Sequence, residues 1–268
     1  MAISLEGKTA IVTCGAQDLG RTIAARMAAA GAKVMLADCS EKGENSDQVS
    51  SVEGTGELHR FSYKIQDRLG IANLLAATVD RYDRIDVLVN AAQTAGQPAG
   101  FLDLDAQAID QAFAENVRAP FQLSQAVARR MIEARAEGES TRAGVIINVG
   151  SIAARRTIPG LLALSVSAAA LDQLTRSMAI SLAGEGIRVN GVAIGSVLTG
   201  RLKEAIRENE ELREDVIRAT PLGRLAEVEE ASETVLFLAS QHASYITGQV
   251  VAVDGGRTLL DPLSAPVR

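Results

Sequence analysis

TAIVTCGAQDLGRTIAARMAAAGAKVMLAD, Thr9 to Asp38, decides how the rest of the chain is read. Thr9-Ala-Ile-Val-Thr13 is short and apolar throughout, the mark of a strand buried on both faces of a parallel sheet. A turn leads into Leu19 to Ala30, Ala-rich with apolar residues at helical spacing. Gly31 closes that helix as its C′ residue. Lys33-Val-Met-Leu-Ala37 is a second strand, ending at Asp38. A strand, helix and strand in so few residues demand a parallel crossover, right-handed by the usual sense of such connections.

The pattern repeats along the chain. Strands are predicted at Leu58–Tyr63, Asp86–Asn90, Gly144–Asn148, Ile187–Ala193 and Gln249–Asp254. Helices are predicted at Asp67–Tyr82, Ala108–Ala136, Gly160–Ala183 and Glu227–Ser240. Ser40 to Glu57 is polar and Gly-interrupted, read as a degenerate helix or a loop. Leu198 to Ala219 is a charged helical excursion, and the tail after Gly256 is expected to be extended. Strict alternation implies an α/β fold, a Rossmann-type doubly wound sheet of seven parallel strands with helices on both faces. Residues 1–268 are read as a single domain, with 196–222 as a substrate-lid region and 257–268 as a C-terminal tail. Ligands in such sheets bind at the carboxyl ends of the strands. The turns after Thr13, Ala37, Asn90, Asn148 and Ala193 should therefore surround one crevice.

Composition narrows the partners. The chain has 268 residues, 47% hydrophobic and 22% charged, with a formal net charge of −6. Only 3% is aromatic and Trp is absent, so the core must be aliphatic. No basic stripe points to nucleic acid or an anionic membrane. No run of about 18 apolar residues offers a membrane span, and Glu6 and Lys8 interrupt any signal-like start. A cytoplasmic protein is expected. Cys14 and Cys39 close the first two strands, near enough for a redox-sensing pair, although two buried thiols are the plainer reading.

The ordered set Thr13-Cys-Gly-Ala-Gln-Asp-Leu-Gly20, Asp86-Val-Leu-Val-Asn90, Asn116, Ser151, Gly186-Ile-Arg-Val-Asn190, Pro221-Leu-Gly-Arg224 and Tyr245-Ile-Thr-Gly-Gln-Val-Val-Ala-Val-Asp-Gly-Gly256 resembles the short-chain dehydrogenase/reductase family. The likeness is greatest to its 3-oxoacyl carrier-protein reductase type. It implies a nicotinamide cofactor held by Gly15, Leu19, Gly20, Asp38, Ile65, Asn90 and Thr199. Asp38 would accept hydrogen bonds from the adenosine ribose and favour NAD over NADP. It further implies a Ser, Tyr and Lys that move the proton, an Asn that supports a water relay, and a homodimer or homotetramer through helices 108–136 and 160–183.

The residues depart from that implication where chemistry is done. Ser151 and Asn116 match, but Leu164 stands at the Tyr position and Ala168 at the Lys position. No Tyr occurs between 83 and 244 and no Lys between 65 and 202, so no register slip recovers the pair. The family's three-Gly turn keeps only Gly20 of its glycines, with Cys14 and Asp18 at the other two. Lys64 replaces an Asp that faces the adenine, and an Asp38–Lys64 ion pair across the adenosine site is expected. Ala91, Gln93 and Ile194 are further departures near the nicotinamide. His59 and His242 are read as solvated or strand-end side chains, and Asp172 as a helix-surface carboxylate. Two functions follow as expectations. One is an oxidoreductase homologue that is impaired or inactive, with NAD or no cofactor, as a binding protein or partner of an active paralogue. The other is an active NAD(P)-dependent carbonyl reductase with atypical proton delivery. No metal site is expected.

Overall fold

The computed structural model describes residues 3–14, 18–38, 55–62, 67–136, 138, 144–195 and 197–261. Seven parallel strands form one sheet: β1 (Thr9–Cys14), β2 (Lys33–Asp38), β3 (Glu57–Ser62), β4 (Val87–Asn90), β5 (Val145–Ser151), β6 (Arg188–Ile194) and β7 (Val250–Val253). Their order is β3-β2-β1-β4-β5-β6-β7. The helices are α1 (Asp18–Ala29), α2 (Arg68–Tyr82), α3 (Ala106–Phe113), α4 (Ala119–Ala136), α5 (Leu162–Leu182), α6 (Gly200–Glu208), α7 (Glu210–Arg218) and α8 (Val228–Ala239). The doubly wound seven-stranded sheet expected from the sequence is present.

Side chains alternate across the sheet because the strand period is two. Ala10, Val12, Val87, Val89, Val145 and Ile147 pack beneath α1 and α8. Ile11, Leu88 and Ile146 pack beneath α2, α4 and α5. Aliphatic side chains fill both layers, as a chain without Trp requires.

Three predicted segments differ in detail. The span 108–136 is α3, a single π-turn at Ala114–Arg118, and α4. The π-turn lets Asn116 point into the protein and leaves it 1% exposed. The excursion 198–219 breaks into α6 and α7 at Asn209, whose side chain accepts from Glu211 N and Leu212 N and so caps a new helix. The tail is not extended at its start. Residues 255–259 turn, because the Asp254 carboxylate accepts from Gly256 N and Thr258 N at 3.0 and 2.8 Å. Arg156 also clamps the carbonyl of Thr258.

Gly20 fixes the approach of α1 to β1. A Cβ there would stand 2.7 Å from both Cys14 Cβ and Thr13 O. This glycine is therefore required for packing, with or without a ligand at the turn. Gly20→Ala is expected to destabilise the fold by about 1–3 kcal/mol, read as a lower urea midpoint with an unchanged slope.

Candidate functional site

The carboxyl ends of β1, β2, β4, β5 and β6 lie along one edge of the sheet, as parallel strands require. Two polar links hold this edge. Thr13 Oγ1 accepts from Ala91 N and Ala92 N at 2.9 and 3.1 Å, tying β1 to the loop after β4. Asn90 donates to Asn148 Oδ1 and Ser124 Oγ at 2.8 and 3.0 Å, and Asn148 donates to Thr175 Oγ1 at 2.9 Å. Asn90 was expected to face a cofactor. Its amide instead lies within the layer beneath α4 and α5, because buried amides must find partners.

Ser151 ends β5 and caps the 3₁₀ turn Ile152–Ala154, accepting from Ala153 N at 3.1 Å. That turn packs against α5. On α5, Leu164 is 6% exposed and Ala168 fully buried. Asn116 donates to Thr94 O at 2.8 Å and to Ser167 Oγ at 3.0 Å, and accepts from Thr94 N at 2.9 Å. Ser167 in turn donates to Leu164 O at 3.2 Å. The amide that should support a water relay is thus engaged by the chain itself. Neither an amide nor an aliphatic hydroxyl titrates near neutral pH, so this network orients α5 but supplies no acid.

Asp172 is not on the surface. It lies one turn beyond Ala168, is 7% exposed, and sits against Gly150 with Arg155 Nε at 3.9 Å. Burial pushes its carboxyl above the usual range, with Arg155 and Arg176 pulling it back. His59 lies within β3, half-buried, rather than at a strand end; His242 is exposed, as expected.

The adenosine corner is described only in part. Asp38 is fully buried and paired with Arg60 of β3. Lys64, its expected partner, lies outside the described residues. Asp38 is opposite Ser62 and Leu36 is opposite Arg60. Arg60, two residues before Ser62, therefore shares Asp38's face of the sheet and reaches it. Gly15 and Ile65, two expected cofactor contacts, also lie outside the described residues, while Leu19 is buried in the core beneath α1. Thr199 accepts from Leu202 N at 3.4 Å as the N-cap of α6. Asp18, the first residue of α1, directs its carboxylate at α6, with Oδ2 3.0 Å from where a Gly200 Cβ would stand.

Cys14 is buried and free; Cys39, its expected redox partner, is outside the described residues. Burial, with help from Asp38, raises the Cys14 thiol to about 11, opposed by Arg21 and Arg60.

A crevice so arranged has the frame of a dinucleotide-binding sheet, and comparison with known proteins agrees. The family model described as enoyl-(acyl carrier protein) reductase matches residues 15–258. The chain belongs to the short-chain dehydrogenase/reductase family. It is 34% identical to 3-oxoacyl-[acyl-carrier-protein] reductase FabG of Thermotoga maritima over 254 residues, covering 94% of this chain and 98% of that one. It is 32% identical to 7alpha-hydroxysteroid dehydrogenase of Escherichia coli strain K12, covering 95% of each. The solved structure of a 7alpha-hydroxysteroid dehydrogenase with NADH and 7-oxo glycochenodeoxycholic acid superposes with a TM-score of 0.83 at 31% identity, over 95% of each chain. Levodione reductase gives a TM-score of 0.83 at 26% identity, over 95% of this chain and 98% of that one. Among the described residues no helix is long and apolar enough to cross a membrane, and no cluster could hold a metal ion.

Three of the described residues at this edge are otherwise engaged or carry the wrong charge for a dinucleotide. Asp38 is committed to Arg60, the Thr199 hydroxyl to α6, and a carboxylate stands at the first turn of α1, where a pyrophosphate would need positive potential. The thiol follows the same logic. With its pKa raised, Cys14 remains protonated until the pH approaches 11, and a thiol rather than a thiolate is a poor nucleophile. Iodoacetamide at pH 8 should leave Cys14 unmodified in the native protein and alkylate it in urea, as peptide mass mapping would show.

Proposed function

We propose that this chain is a family member that has given up proton transfer and acts as a binding or assembly partner, including to an active paralogue. The observation that carries this reading is the α5 face. Leu164 and Ala168 are buried there and neither side chain titrates, and Asn116 is taken up by Thr94 and Ser167. A carbonyl reductase must deliver a proton as hydride arrives, and a positioned acid typically contributes about 10²–10⁴-fold.

The dinucleotide site is read as degenerate. NAD was favoured over NADP because a free Asp38 would repel a 2′-phosphate. Its pairing with Arg60 offsets much of that charge and weakens the preference. The segment 196–222, with α6 and α7, is assigned as a lid over the crevice, and residues 1–268 as one domain with a tail from 257. Assembly as a homodimer or homotetramer through α4 and α5 is supported by exposed Phe121, Val166 and Ile180 on those helices.

The alternative is an active NAD(P)-dependent reductase with atypical proton delivery. Asp172 favours it: a buried carboxyl with a raised pKa, one turn from Ala168. The two readings separate in one assay. Reduction of 3-oxoacyl thioesters and cyclic ketones with NADH and NADPH should run at least about a hundredfold below an intact relative. Leu164→Tyr with Ala168→Lys should not restore it. Turnover equal to the relative's, abolished by Asp172→Asn, would establish the alternative instead.

A further inference from the structure

The crevice makes two contacts with itself at the places a dinucleotide would use. At one end Arg60 donates to the buried Asp38, the role of ribose hydroxyls. At the other, the Asp18 carboxylate lies between the first turns of α1 and α6. Asp18 begins α1, and its Oδ2 lies against the face of Gly200 from which a side chain would project. Gly200 begins α6, and Thr199 caps it. Both first turns present N–H groups without partners in their own helix, and both carry positive potential from the helix dipole. A bound diphosphate would seek the same surroundings.

We propose that Asp18 is a built-in anion that latches α6 against α1 and competes with any diphosphate for that space. The proposal rests on the reading that the dinucleotide site is degenerate, and extends it to a cause. Asp18 is exposed, yet its carboxylate also lies on Gly200, where it can act on the first turn of a second helix. The absence of a side chain at 200 is what admits it, since a Cβ 3.0 Å from the oxygen would require one of them to move. Latching α6 also orders α7, because Asn209 ends one helix and caps the next. The segment can then remain folded with no ligand between it and α1.

Hydrogen–deuterium exchange on the full chain tests the latch without cofactor. Asp18→Asn keeps the shape and removes the charge, and Gly200→Ala keeps the charge and displaces it. Each should speed exchange in the first turn of α6 by about tenfold, while the sheet exchanges as before. An alanine at the start of α6 would by itself favour the helix, so faster exchange in Gly200→Ala isolates the latch. If Asp18 serves only α1, Asp18→Asn will loosen α1 and leave α6 unchanged, and the latch is overturned. Titration with NADH provides the second arm. Removing a like charge from the diphosphate's path should tighten binding to Asp18→Asn by at least about tenfold over the unaltered chain. Equal affinity overturns the competition. Tight NADH binding by the unaltered chain would overturn the degenerate-site reading instead, leaving the exchange data to decide the latch alone.

Discussion

The structure depends on a parallel sheet packed by helices on both faces, with the carboxyl ends of its strands collected at one edge. Backbone and amide groups at that edge are shielded from water and must be satisfied inside. Thr13 does this for the loop after β4, and Asn90, Asn148, Ser124 and Thr175 do it between the strands and α4 and α5. None of these bonds requires a ligand. They belong to the fold, which explains why this edge can stay intact while the surface it supports changes its chemistry.

Gly20 shows the same separation within one motif. It is the one surviving glycine of the family's phosphate turn, and its place is dictated by Cys14 Cβ and Thr13 O. The other two positions hold Cys14, buried in the core, and Asp18, exposed at the start of α1. A motif count treats the three sites as equal evidence for a cofactor. Physically they are different, and only the one that fixes the distance between helix and strand is retained.

The sheet was legible because period and composition determine it: short aliphatic runs, each followed by an apolar-striped helix, have few alternatives. The site was legible only in part. Leu164 and Ala168 could be placed because the spacing from Ser151 and the residues around them left no other register. The partner of Asp38 could not. Arg60 pairs with Asp38 because it lies two residues before Ser62, the residue opposite Asp38, and so on the same face; helical and strand period alone do not single it out. Asp172 looked like a surface carboxylate because helical period alone does not show where β5 ends. Its carboxylate lies beside Gly150, near the end of that strand. The α6–α7 break was missed because Asn209 reads equally as a helix residue or a cap until its dihedrals are known.

The losses at Leu164 and Ala168 belong together. Position 168 is fully buried, so a lysine there would carry an ammonium into the layer between α5 and the sheet. Such a charge is tolerated only with partners that offset its lost hydration. Asn116 gives its carbonyl oxygen to Thr94 and its amide to Thr94 and Ser167, and the Ser167 hydroxyl gives its proton to Leu164 O. With those groups occupied, a lysine would find few acceptors unless it drew one away. An apolar pair at 164 and 168 avoids that conflict and lets Asn116 bond locally in the π-turn. Once the ammonium is gone, a tyrosine at 164 has lost the charge that would lower its pKa.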